Sequence, residues 1–364
     1  MRKIILGILI CLLLSKAVQA VDVQKEQEEA FGLETLEEGI SPETRELLGD
    51  VSPTEPADFS SSIQDIFLGS LWKSQSVLRQ GLTTGVLIVM VAILTTMTKT
   101  IDQNKAFPVS TLVGLLAITS LCSTGFANMI DQCAQTLEEM LSLNTLLLPV
   151  MAAASAASGN ITTSAAIYGG TVVFSNVLMN CILKLLIPLV YVYIAISLVN
   201  AVLSLDTMGR MCNFIQWIIT VGLKGSLYVF TGYLALTGII GGAGDAAAIK
   251  AAKLAMSGMV PVVGSILSDA SETVLASAMF IRSCAGTFGL LAVLAVCLTP
   301  FLKIGFFYLC LKVTAAVGVA VGTPPIIQHI DALSKAMGFL LAMTGVYSLM
   351  TLISCVCSMQ VSVL

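Results

Sequence analysis

Residues 81–98 read GLTTGVLIVMVAILTTMT, eighteen residues without one charged side chain. A helix needs about 20 predominantly apolar residues to cross the hydrocarbon core of a bilayer, so Gly81–Thr98 is expected to be a membrane span. A second, Pro108–Ile130, follows after the short loop Lys99–Lys105. The composition around them agrees, at 56% hydrophobic and 11% charged over 364 residues, with a mean hydropathy of +0.94. A soluble domain carries about 25% charged residues, and here lipid must cover what water cannot. The expected fold class is all-α, a polytopic membrane protein of about eight spans.

The net charge of −4 hides a strong segregation. Residues 21–80 hold 13 of the 22 acidic side chains against four basic ones, which leaves that segment near −9. Residues 81–364 carry 11 basic and nine acidic side chains. No basic patch interleaved with aromatics exists, so nucleic acid is excluded as a partner, and an acidic segment does not dock on anionic headgroups. Arg2 and Lys3, the apolar run Ile4–Leu14 and the small residues around Ala20 read as a secretory signal over residues 1–20. The alternative reading is an uncleaved first span. Lysines in the Lys99–Lys105 loop place it in the cytoplasm and residues 21–80 outside, in agreement with the signal.

Within 21–57, mostly a solvated tail by composition, Ser41-Pro42-Glu43 opens a short helix with Ser as N-cap and Pro at its first position, and Gly49 stops it. From Ser62 apolar residues recur at helical spacing up to Leu78, which reads as an amphipathic helix on the membrane face before the first span. Residues 131–143 read as a second interfacial helix. The chain thus divides into a signal (1–20), an acidic exported segment (21–80), a two-span hairpin (81–130) and two membrane repeats (136–241 and 248–353).

The repeat rests on matches at an offset of 112, Pro149 with Pro261 and Pro188 with Pro300, and after one residue of slippage Ser158 with Ser271 and Ser164 with Ser277. These four prolines are candidate helix breakers. Each unit opens with an apolar stretch that has a polar interruption, Ser158-Gly159-Asn160 in one and Ser268–Glu272 in the other. Each then runs through a long apolar stretch, 167–204 or 279–321, long enough to span twice. Broken helices at matching places point to a pathway in transporter folds; packing hairpins with small residues explain them equally. On the first reading Ser158, Asn160, Ser164, Asp269, Ser271, Glu272 and Ser277 line it. Lys303 and Lys312 are charges inside apolar runs, and intramembrane charge is costly enough to mark function.

Catalytic chemistry finds little support. Gly242-Ala243-Gly244-Asp245 fits an intramembrane aspartyl protease pattern, but the chemistry needs a second facing carboxylate, and Asp206 lies outside the expected context. No GxSxG or Walker A run occurs. The single histidine, His329, excludes multi-histidine metal sites, and the ten cysteines, five of them in apolar spans, read as small hydrophobes. The expectation is a non-enzymatic protein with neither cofactor nor metal.

Three stretches, SLWKSQSVLRQGLTTGVLIV (70–89), LLLPVMAAASAASGNITTSA (146–165) and TPPIIQHIDALSKAMGFLLAMTGVYSLM (323–350), resemble the stage III sporulation protein AE family of endospore-forming bacteria. The resemblance extends over the whole chain. It implies a subunit of a channel or feeding-tube assembly between mother cell and forespore, in the mother-cell membrane. It also implies an ATPase, ring-forming proteins and other membrane subunits as partners. Three roles stay open: a permease-like pathway, a non-conducting structural hub, and a free-standing secondary transporter. The family supplies no catalytic residue to transfer.

Overall fold

A computed structural model of the protein describes residues 32–55, 57–99, 109–203, 206–257 and 263–360. The signal segment, the loop at 100–108 and Pro261 lie outside them. Two short helices, α1 (Leu33–Glu38) and α2 (Pro42–Leu48), precede the long ones. These are α3 (Phe59–Lys99), α4 (Val109–Ala157), α5 (Ile161–Cys181), α6 (Ile187–Leu203), α7 (Asp206–Ser257), α8 (Val263–Val321) and α9 (Pro324–Gln360). A π-helical turn, Ile182–Leu186, fuses α5 to α6.

Among the described residues six helices, counting α5–α6 as one, are long and apolar enough to cross a membrane, with apolar segments of 31 to 49 residues. At 1.5 Å per residue these measure about 46–74 Å, against a hydrocarbon core of about 30 Å. The bundle therefore projects well beyond the bilayer. This length explains why six replaces about eight. Of the stretches 167–204 and 279–321, expected to cross twice, 167–203 and 279–321 are each one continuous helical rod, and residue 204 lies outside the described residues. The amphipathic helix and the first span merge into α3, and the interfacial helix at 131–143 is the middle of α4.

Helix ends follow local chemistry. Ser41 accepts from the Thr44 amide at 3.4 Å, Pro42 opens α2, and Gly49 closes it at φ 59°. Gly159, at φ 94°, terminates α4, with the Asn160 amide donating back to Ser155 O at 3.1 Å. Thr323 and Pro324 start α9 in the manner of an N-cap and N1 pair, the amides of Ile326 and Ile327 donating to Thr323 O.

The prolines behave otherwise. Pro149 and Pro300 lie inside α4 and α8 and break neither, as membrane helices tolerate where neighbouring helices satisfy the freed backbone groups. Pro188 sits two residues past the π turn, whose wider ring relieves the clash with the carbonyl four residues back. The polar interruption at Ser268–Glu272 is helical backbone within α8. The glycine-rich link at 241–245 is helical as well, inside α7.

Small residues let the rods approach closely, as expected in lipid. Along α3 and α8, Gly81 faces Cys310 and Gly85 faces Thr314, and Thr299 Oγ1 donates to Ser70 Oγ at 3.0 Å. On α4, Gly125 lies under the Phe307 ring, which packs edge-on to Phe126 at 6.2 Å. The Tyr233 ring covers Gly170, and its hydroxyl donates to Ala166 O at 2.9 Å.

The described part of the supposed solvated tail is docked, and residues 21–31 lie outside the described residues. Leu33, Leu36 and Leu48 are 1%, 0% and 6% exposed. Leu47 packs on Gly69 of α3, Gly39 on Leu146 of α4, and Lys73 pairs with Glu46 at 2.6 Å.

Candidate functional site

Two features combine chemistry with position: a hydroxyl-rich seam inside the bundle and the groove that holds α1 and α2. The seam runs along α9. His329, fully buried, bridges three helices, with Thr119 Oγ1 on α4 at 2.9 Å from Nε2 and Ser197 Oγ on α6 at 3.2 Å from Nδ1. Higher up, Cys133 contacts Thr344 at 3.3 Å, Asn144 Nδ2 donates to Thr351 at 3.2 Å, and Thr171 bonds Ser354. The pairs join α4, α5 and α6 to α9, and together they fix its register.

The His329 bridge is a fastener whose partners survive its loss. Thr119 also donates to Leu115 O at 2.8 Å and Ser197 to Ile194 O at 2.9 Å. Interhelical side-chain bonds in membranes average about 0.6 kcal/mol. His329→Leu is therefore expected to cost only about 1 kcal/mol, measured by unfolding in mixed micelles. A loss of several kcal/mol would mean the imidazole does more than fasten.

The candidate pathway residues lie elsewhere. Ser158, Asn160 and Ser164 are 2%, 7% and 6% exposed and sit at the α4–α5 turn, at one end of the bundle. Ser158 Oγ donates to Ala154 O at 2.7 Å and Ser164 Oγ to Ile161 O at 3.1 Å. The nearby cavity, lined by Ser155, Ser164 and Ser358, measures about 10 Å³, enough for one water at most. Ser277 is half-buried in α8. Asp269, Ser271 and Glu272 belong to the α8 backbone, and their side chains lie outside the described residues.

The intramembrane charges separate into three kinds. Lys303 borders a cavity of about 180 Å³ shared with Glu43, Lys73, Gln132, Gln135 and Glu139, a polar setting at the α2 groove. Lys312 pairs with Asp331 at 2.6 Å, and Lys335 pairs with the other oxygen of Asp331 at 3.1 Å. Arg282 is 2% exposed; its Nε donates to Ser358 O at 2.7 Å, Nη2 donates to the same carbonyl, and Nη1 finds no partner among the described residues. Asn176 and Asn180 donate within their own helix, to Val172 O and Asn176 O. Asp331 had escaped the sequence reading, although Lys335 one helical turn later was a visible signal.

Next to this interior, α2 and the loop after it enclose a cavity of about 520 Å³ with α3, lined by Glu46, Asp50, Glu55, Asp58, Asp65 and Lys73 among others. The acidic segment thus forms a wall of the bundle's polar end.

Rods of this length, apolar faces turned outward and an interior fastened by hydroxyl pairs define a polytopic α-helical membrane protein. Residues 44–362 match the stage III sporulation protein AE family, and the chain belongs to that family. Stage III sporulation protein AE of Bacillus subtilis (strain 168) is 24% identical to it over 285 residues, 76% of this chain and 70% of that protein. No solved structure matches the chain.

Proposed function

We propose that the chain is a packed membrane hub of the sporulation assembly that joins mother cell to forespore. In this reading it sits in the mother-cell membrane with its acidic segment outside. It binds other subunits, an ATPase and ring-forming proteins among them, and catalyses nothing itself. Any passage runs between subunits and not through this chain's own core. The observation that carries the reading is the burial of Ser158, Asn160 and Ser164, at 2%, 7% and 6% exposure, with only a cavity of about 10 Å³ beside Ser164. A permease lined by those side chains would need water beside them. The hydroxyl pairs along α9 support the same view, since they are spent on neighbouring helices.

Thiol accessibility tests it. In a cysteine-free background, Ser164→Cys is expected to resist a membrane-impermeant thiol reagent, while Ile161→Cys, at a site 66% exposed, labels readily. Labelling of both positions at similar rates would overturn the hub reading in favour of a wetted pathway.

A further inference from the structure

The geometry points to the face of α8 and α9 that carries Lys312, Asp331 and Lys335 as a docking site for a transmembrane helix of another protein, one that presents a single carboxylate. The three side chains lie about 12–18 Å along their helices from the Gly322–Thr323 turn, within the segments apolar enough to span. Val313, Val317 and Val319, 59%, 50% and 67% exposed, continue the outward apolar surface from Lys312 to the end of α8. The cluster therefore adjoins outward-facing apolar side chains of α8. Yet it opens outward, with side-chain exposures of 46%, 34% and 45%.

Charge decides the occupant. Asp331 spends both oxygens, Oδ1 on Lys312 and Oδ2 on Lys335, so two ammonium groups share one carboxylate and one positive charge is left over. Lysines near helix ends ordinarily relieve such a charge by snorkelling, but here both heads are held at bonding distance by Asp331. Charges within spanning helices pair with one another or with a partner, and one excess positive charge is met by an acid. A second copy of this chain would bring the same excess positive charge and repel.

The inference rests on the hub reading in supposing a membrane partner, and it is tested independently of the thiol experiment. Full-length protein carrying a donor dye is reconstituted in phosphatidylcholine vesicles, which supply no net headgroup charge. The probes are acceptor-labelled Leu/Ala peptides of about 20 residues with one Glu, Gln or Lys at matching depth, and association is read by energy transfer. The Glu peptide is expected to associate about tenfold more tightly than the Gln peptide, and the Lys peptide least. Lys335→Gln leaves the Lys312–Asp331 pair neutral and is expected to abolish the preference for Glu. Equal association of the Glu and Gln peptides would overturn the proposal, as would a preference that survives Lys335→Gln. Self-association of the wild-type chain that Lys335→Gln removes would also overturn it, because the occupant would then be a second copy.

Discussion

Replacing Gly125 with leucine is expected to destabilise the bundle by about 1–2 kcal/mol. A Cβ at Gly125 would lie 2.5 Å from Phe307 Cζ and 2.9 Å from Cε2. The ring cannot swing into lipid, being 1% exposed and held edge-on against Phe126 at 88°. Overpacking of this kind costs typically 1–3 kcal/mol, occasionally more. The gain in helix propensity on losing a glycine, about 0.5–1 kcal/mol, offsets part of it. Unfolding in mixed micelles measures the effect, with Gly125→Ala expected to fall between. Because the two residues touch, Phe307→Ala in the Gly125→Leu background should recover stability, giving a coupling of at least about 1 kcal/mol. A Gly125→Leu protein as stable as the wild type would mean that α4 and α8 do not meet here.

What the sequence made legible was local. The helix from Pro42, its Ser41 cap and its Gly49 stop were readable because each depends on residues within one turn. The interruption at Ser158–Asn160 was readable for the same reason, since Gly159 alone supplies the left-handed conformation. Prolines misled because the penalty of Pro149 or Pro300 is local while its compensation, packing against neighbouring rods, is not. Helix count misled for a related reason. An apolar stretch of 43 residues such as 161–203 satisfies two crossings or one long rod equally by composition, and only the π turn shows which was taken.

The candidate site was less legible still. Thr119 and His329 are 210 residues apart, and Ser70 and Thr299 are 229 apart. Hydroxyl pairs at such separations leave no periodic trace, because serine and threonine on an apolar face also satisfy themselves on their own helix. Residues 33–48 were invisible as a docked element because their acidic residues dominate the composition. Four leucines among them, Leu33, Leu36, Leu47 and Leu48, make the contact.

Leu36→Asp is expected to release residues 32–58 from the bundle without unfolding it. Leu36 is fully buried in α1, and just beyond it Gly39 packs against Leu146. Burial of a leucine contributes about 1.5–3 kcal/mol, and an unpaired carboxylate in its place adds a desolvation cost of several kcal/mol. Two short helices of six and seven residues cannot absorb that. They escape it by leaving the groove, so the cost is capped at the free energy of docking. The segment should then be cleaved by added protease at least about tenfold faster, while unfolding of the long helices stays within about 1 kcal/mol of the wild type. Thr35→Asp, one residue away on an exposed position, adds the same charge and is expected to change neither reading. If Leu36→Asp leaves the segment as resistant as Thr35→Asp does, the leucine contacts do not hold the acidic wall in place. If the long helices fall together with it, α1 and α2 are structural keystones of the bundle and not a detachable wall.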